Sequence, residues 1–213
     1  MVTTMEVWGD SHMDDIYGTG IGARNALKYE LNFRHDVKML RNKAKAGSVV
    51  RDWIEPWAEQ NPDDLADVLV VSSGFNEAVL VAWGSIKIQA VQDVWGFLIR
   101  MAQARGQKVL WIPTNYLYGR AYSEFPATAE LATLPGVLGA DVLDWSLDDE
   151  RDLCPDRVHN SYTTSYYLAG DILDKVATYT KDDDETTKEE PEAVQLVSGS
   201  AERDSEVPGK GDR

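Results

Sequence analysis

Ser11, Asp156 and His159 have the side-chain types needed to turn an alcohol into a nucleophile. Ser11 sits in Val7-Trp8-Gly9-Asp10-Ser11-His12, and the other two in Asp156-Arg157-Val158-His159. A serine hydroxyl attacks poorly at neutral pH until an imidazole takes its proton. The imidazole works best when a carboxylate holds its tautomer and stabilises the imidazolium that forms. An Asp three residues before a His can reach one ring nitrogen within a single turn and leave the other free. The same spacing suits a plain Asx-type turn, and these residues alone leave both readings open. A Gly-Asp-Ser tripeptide is, by itself, common in turns.

Acyl transfer also requires donors fixed where negative charge develops on the carbonyl oxygen. Gly47, in Lys45-Ala46-Gly47-Ser48, can offer a backbone N–H, and Asn76, in Ser73-Gly74-Phe75-Asn76-Glu77, a side-chain amide. A turn glycine and a helix-capping asparagine are the simpler readings of each taken singly.

Alternating strands and helices position these residues. Short apolar runs predict strands over Met5–Trp8, Asp36–Asn42 (less apolar, so nearer an edge), Ala66–Ser72, Lys108–Ile112 and Ala140–Trp145. Val68-Leu69-Val70-Val71 is continuously apolar, as in a parallel strand buried on both faces. Helical spacing marks Ala23–Leu31, Val49–Glu59, Gly84–Arg105 (stopped by Gly106) and Tyr162–Tyr179, the last capped by Asn160 or Ser161. A helix over Ala121–Leu134 is expected to break around Pro126 and Pro135. The alternation predicts an α/β fold, a parallel sheet with helices on both faces. Ser11, Gly47 and Asn76 each follow a predicted strand, and open parallel sheets bind ligands beyond the carboxyl ends of their strands.

The 213 residues suffice for one domain, expected over 1–180. From 181 to 213 the chain turns acidic and poor in large apolar residues, which predicts a disordered tail. The net charge of −15 argues against nucleic acid as a partner, because like charges repel. One cysteine, Cys154, excludes an internal disulfide framework. No apolar run is long enough to span a bilayer and no signal-peptide pattern opens the chain, so the default expectation is cytoplasmic, with membership of a larger particle still open.

The ordered set Gly9-Asp10-Ser11, Gly47, Gly74-Phe75-Asn76 and Asp156-Arg157-Val158-His159 resembles the four blocks of the SGNH hydrolases, also called GDSL esterases and lipases. The resemblance runs from about Met5 to Tyr179. It implies a three-layer α/β/α sandwich of flavodoxin-like type and no metal or organic cofactor. It further implies Ser11 as nucleophile, His159 as base, Asp156 as its orienter, and an oxyanion hole from the Ser11 and Gly47 N–H groups and the Asn76 amide. The expected activity is a serine esterase on small acyl esters, such as O-acetyl groups on carbohydrate. Two alternatives stay open: acyl transfer to a sugar hydroxyl with the same residues, and a non-catalytic carbohydrate-binding or virion-associated module on the same fold.

Two positions depart from the usual pattern. Glu77 replaces the aspartate of the third block, and its longer side chain is expected to loosen the aim of Asn76. His12 replaces the leucine of Gly-Asp-Ser-Leu. It is not read as the base, since neighbouring side chains in a turn diverge and no carboxylate other than Asp14 or Asp15 is expected near it. His35 reads as a surface residue and Cys154 as a small half-buried one. Tyr17 to Gly22 reads as a segment beside Ser11 that could line the cleft. Tyr116, Tyr118 and Tyr122 could form a pocket wall, and the seven tryptophans read mainly as core.

Overall fold

A computed structural model describes residues 2–14, 22–114, 119–145, 147 and 152–179. The chain divides into two units, Met1–Asp183 and Asp184–Arg213, and all described residues belong to the first. The acidic stretch 181–213 lies outside the described residues.

Five strands form one parallel sheet: β1 (Thr3–Gly9), β2 (Val37–Asn42), β3 (Val68–Ser72), β4 (Lys108–Ile112) and β5 (Asp141–Val142). Their spatial order is β2-β1-β3-β4-β5. Between them run helices α1 (Ala23–Glu30), α2 (Val50–Ala58), α3 (Phe75–Ala82), α4 (Ile88–Ala104), α5 (Gly119–Glu124), α6 (Ala127–Val137) and, after β5, α7 (Tyr162–Ala177).

Strand periodicity explains the layers. Side chains alternate across a strand, so β1, β3 and β4 each send residues to two cores. Met5, Val7, Val68, Val70, Leu110 and Ile112 pack with α1 and α7 residues such as Leu27, Leu168 and Ile172. Trp8, Leu69, Val71, Val109 and Trp111 pack on the other face with Trp53 and Trp57 of α2, Trp95 and Leu98 of α4 and Leu131 of α6. The result is a three-layer α/β/α sandwich. Five of the seven tryptophans are buried in the second core, whereas Trp83 is 72% exposed.

Three elements differ from the sequence-based expectation. Helix α3 was not foreseen: Phe-Asn-Glu-Ala-Val-Leu-Val-Ala is apolar over most of its surface, so it carries no amphipathic signature. The break near Pro126 is real, and separates α5 from α6, but Pro135 lies inside α6 rather than ending it. Strand β5 spans two residues instead of six, since it pairs only with β4 at the sheet edge.

The strand order doubles back at β1. From β1 the chain first moves out to β2, then returns past β1 to β3. At such a point the loops after two adjacent strands turn away from each other and leave a crevice. Here the crevice lies between the ends of β1 and β3, where Gly9 pairs with Ser72. The chains are so close that a Cβ on Gly9 would collide with the Ser72 carbonyl. Only glycine lets β1 run this near to its neighbour before turning into Asp10-Ser11.

Candidate active site

Ser11 follows β1 in a turn closed by the Met13 N–H donating to the Asp10 carbonyl at 3.2 Å. Asp10 anchors the turn from below. Its buried carboxylate accepts from the His12 N–H at 3.1 Å and from the Ser72 hydroxyl at 3.1 Å, tying the turn to β3.

Asp156 and His159 lie on a small hairpin just before α7. Leu153 and Asn160 form an antiparallel bridge. The Cys154 N–H donates to the His159 carbonyl at 2.7 Å, and the Arg157 N–H to the Cys154 carbonyl at 2.8 Å. Arg157 takes a left-handed conformation (φ 58°) to close the turn. The hairpin leads directly into α7, where the Ser161 side chain caps the Thr164 N–H. One oxygen of Asp156 accepts the Val158 and His159 N–H groups at 2.9 and 3.1 Å. The local Asx-type turn is therefore present, and it leaves the second oxygen free to act elsewhere. That oxygen meets His159 Nδ1 at 2.6 Å.

The far ring nitrogen, His159 Nε2, lies 2.7 Å from Ser11 Oγ. Residues 148 positions apart thus form one continuous line of hydrogen-bonding atoms from carboxylate to imidazole to hydroxyl. With Asp156 accepting at Nδ1, the neutral ring carries its proton there and presents the Nε2 lone pair to the serine. Hydrogen bonds from His159 and the backbone outweigh partial burial and hold the Asp156 carboxyl below its ordinary range. Burial and the nearby His12 charge push His159 below 6.5, despite the opposing pull of Asp156. The shift favours the neutral imidazole, the form able to take a proton.

Gly47 and Asn76 come to the same end of the sheet. The loop after β2 is tied along β1: the Lys45 N–H and the Ser48 hydroxyl both donate to the Gly9 carbonyl, at 2.9 and 2.8 Å. Gly47 is exposed, with φ 78°. Among the described residues, neither its N–H nor that of Ser11 has an acceptor. The Asn76 amide donates one hydrogen to the Ser48 carbonyl at 3.0 Å, which fixes the side chain and leaves its second N–H uncommitted.

Glu77 does not loosen Asn76 as expected. It is buried and serves two helices at once. One oxygen accepts the Val50 N–H at 3.0 Å and the Ser73 hydroxyl at 2.6 Å. The other accepts the Gly74 N–H at 2.9 Å. The carboxylate thus caps the starts of α2 and α3, where helix dipoles favour negative charge. Burial nonetheless pushes its pKa up.

His12 also departs from expectation, because a carboxylate does orient it. Its Nδ1 lies 3.2 Å from Asp10 Oδ1 and its Nε2 lies 3.2 Å from the Val158 carbonyl. Asp14 is engaged elsewhere, with Arg24 at 2.9 Å and the Ala46 N–H at 2.9 Å; Asp15 lies outside the described residues. Sequence reasoning missed Asp10 as the partner, although the two-residue spacing was a signal for it.

Cys154 is half-buried, and burial and Asp156 raise its pKa, so it stays a thiol. His35 is exposed. Tyr116, Tyr118 and the Tyr122 side chain lie outside the described residues, as does the Tyr17-to-Gly22 segment except Gly22. Among the described residues, no cluster of His, Cys, Asp and Glu is arranged to hold a metal ion, and no helix is long and apolar enough to cross a membrane.

No protein-family model matches the chain, and no curated protein does. Solved structures do match. A catalytic mutant of an acetylxylan esterase from Geobacillus stearothermophilus superposes with a TM-score of 0.65 at 14% identity, over 82% of this chain and 94% of that one. A lipase/acylhydrolase from Enterococcus faecalis gives 0.65 at 16% identity, over 83% and 96%. An α/β hydrolase enzyme from the metagenome of Lake Arreo, Spain, gives 0.62 at 14% identity, over 82% and 94%. The chain has the three-layer α/β/α fold of these solved hydrolases, which is the fold that the resemblance to the SGNH hydrolases predicts.

Proposed function

We propose that this protein is a serine esterase in which Ser11 is the nucleophile, His159 the general base and Asp156 the group that orients it. The reading is carried by the Asp156–His159–Ser11 line, with contacts of 2.6 and 2.7 Å. Both lie within the reach proton transfer requires.

Ser11 Oγ attacks the ester carbonyl carbon while its proton passes to His159 Nε2. The carbonyl oxygen becomes an oxyanion, stabilised by the Ser11 and Gly47 N–H groups and the free N–H of Asn76. His159 returns the proton to the leaving alkoxide, the C–O bond breaks, and an acyl-serine and an alcohol result. A water then gives its proton to His159 and attacks the acyl-serine. Collapse releases the carboxylic acid and restores the Ser11 hydroxyl. No further reactant is needed. The esterase and acylhydrolase names of the solved structures with the same fold support the same chemistry.

The test is hydrolysis of p-nitrophenyl acetate together with labelling by a fluorophosphonate. Wild type turns over the ester and is labelled. Ser11→Ala loses labelling, and both Ser11→Ala and His159→Ala lose turnover by about a thousandfold or more. Undiminished turnover in Ser11→Ala overturns the mechanism.

A further inference from the structure

Beside the site, a cavity of about 370 Å³ opens between α2, α3 and the start of α4. Its wall is mainly apolar, with Val79, Leu80, Trp83, Ile86, Ala90 and Val94. Trp83 is 72% exposed, so its indole is available to an occupant. Arg51 and Asp52 add charge at the rim, and at the inner edge the polar groups are held in place apart from the donors proposed for the oxyanion, the Gly47 N–H and the second Asn76 N–H. Glu77 is held by three donors, and Asn76 is anchored on the Ser48 carbonyl. An occupant would therefore gain mainly by removing apolar surface from water.

Position says which part of an ester belongs there. Gly47 and Asn76, two of the proposed oxyanion donors, line the cavity, whereas Ser11, Asp156 and His159 do not. Three groups surround the reacting carbonyl carbon besides the nucleophile's approach. The oxygen must face the donors. The leaving oxygen must face His159 Nε2, which protonates it. The acyl chain takes the remaining direction. A cavity bordered by the donors and by no atom of the His159 hairpin lies on the acyl side.

Size then sets the class of acyl group. A cavity of about 150 Å³ accommodates the six carbons of benzene. A cavity of 370 Å³ is more than twice that, and an acetyl group would leave most of it to water. We infer that this cavity is the acyl subsite and that it takes an aliphatic chain of about six to ten carbons, longer than the acetyl group expected from the sequence. The inference rests on the serine esterase reading and adds its substrate class.

The experiment measures kcat/KM for p-nitrophenyl acetate, butyrate, hexanoate, octanoate and decanoate, below micelle-forming concentrations. It uses wild type, Ala90→Phe, which fills the cavity from its exposed rim, and Trp83→Ala, which removes one wall. Thermal melts report folding, and fluorophosphonate labelling reports Ser11. In wild type, kcat/KM is expected to rise by about two- to fourfold per methylene up to hexanoate or octanoate. Ala90→Phe is expected to keep the acetate rate within about twofold and to lose about tenfold or more on octanoate. Trp83→Ala loses a smaller factor, also on long chains only. Should Ala90→Phe fail to fold, Trp83→Ala decides, since that side chain is largely exposed. Normal labelling with a rate that is flat or falls from acetate onward, unchanged by either variant, overturns the subsite and leaves the esterase standing. Absence of labelling and of turnover on every ester overturns the esterase reading itself, and the subsite with it.

Discussion

The His12 imidazole bridges Asp10 and Val158, 3.2 Å from the carboxylate on one side and 3.2 Å from the backbone carbonyl on the other. Asp10 belongs to the turn that presents Ser11, and Val158 to the hairpin that presents His159. Both ring nitrogens face acceptors, so both are best satisfied as donors, in the imidazolium form. Burial opposes that charge, but Asp10, the Val158 carbonyl and Asp156 together raise the His12 pKa above 6.5. His12 thus ties the two halves of the site together, with its pKa shifted toward the charged form. Its ring centre lies 5.5 Å from that of His159. Replacing it with Ala should release the hairpin and lower kcat/KM by about ten- to a hundredfold, since an ångström of misplacement costs on that order. Fluorophosphonate labelling should slow in parallel, which a defect in product release alone would not cause.

The same charge bears on the pH profile. In the proposed mechanism the base His159 must be neutral, so kcat/KM should rise with pH through the His159 pKa and then level off. Burial first, and the His12 charge second, place that pKa below 6.5. Asp156 and Asp10 act on His159 in the opposite sense to His12. The acidic limb should therefore have its midpoint below 6.5. His12→Gln removes the positive neighbour while keeping a donor, so the midpoint should move up. A limb that stays put or moves down would show that His12 is uncharged there.

Asp156→Asn separates orientation from architecture. The Asn oxygen can still accept the Val158 and His159 N–H groups that Asp156 now accepts at 2.9 and 3.1 Å. Its NH2 then faces Nδ1 and favours the tautomer with the proton on Nε2, where it cannot accept from Ser11. The variant should fold normally and lose a factor on the order of 10³–10⁴ in kcat. Kinetics alongside a thermal melt will check both halves.

Glu77→Ala should be a stability variant. It strands the Val50 and Gly74 N–H groups and the Ser73 hydroxyl in a buried place. A loss of about 3 kcal/mol is expected in denaturant unfolding, in the range for unsatisfied buried polar groups. Glu77→Gln keeps one acceptor oxygen and should lose less. The sign with pH is also fixed. An acid whose folded pKa is raised, as here by burial, stabilises the fold below its unfolded pKa and ceases to do so as pH rises through the folded value. The cost of the Glu77 charge is therefore felt above pH 4.5, and Glu77→Gln should approach wild-type stability as pH rises.

Gly9 and Gly47 should respond differently to alanine. At Gly9 the new methyl meets the rigid Ser72 backbone, so β1 and β3 must separate. At Gly47 the space is open, and only the left-handed backbone (φ 78°) opposes the change. Gly47→Ala should cost about 1–2 kcal/mol and fold. Gly9→Ala should be markedly less stable, with loss of activity beyond what unfolding explains.

Much of this protein was written in local patterns. Continuous apolar runs determined the central parallel strands and 3.6-residue spacing the longer helices, because a strand buried on both faces is apolar throughout and a helix packed on one face repeats its apolar residues every turn. The Asp156-to-His159 spacing determined a self-contained turn, and the nucleophilic role proposed for Ser11 starts from its residue type. Elements without a periodic face escaped: α3 and the continuation of α6 through Pro135 depend on the core around them, and the length of β5 on having a single neighbour. Only the tertiary structure decided that His12 reaches Val158, that Glu77 caps α2 as well as its own helix, and that Ser11 meets His159 at 2.7 Å. Those contacts join segments set by the strand order of the sheet. Hydrogen bonds act over about 3 Å, so nothing in a linear spacing can specify partners that the chain brings together only after it has folded.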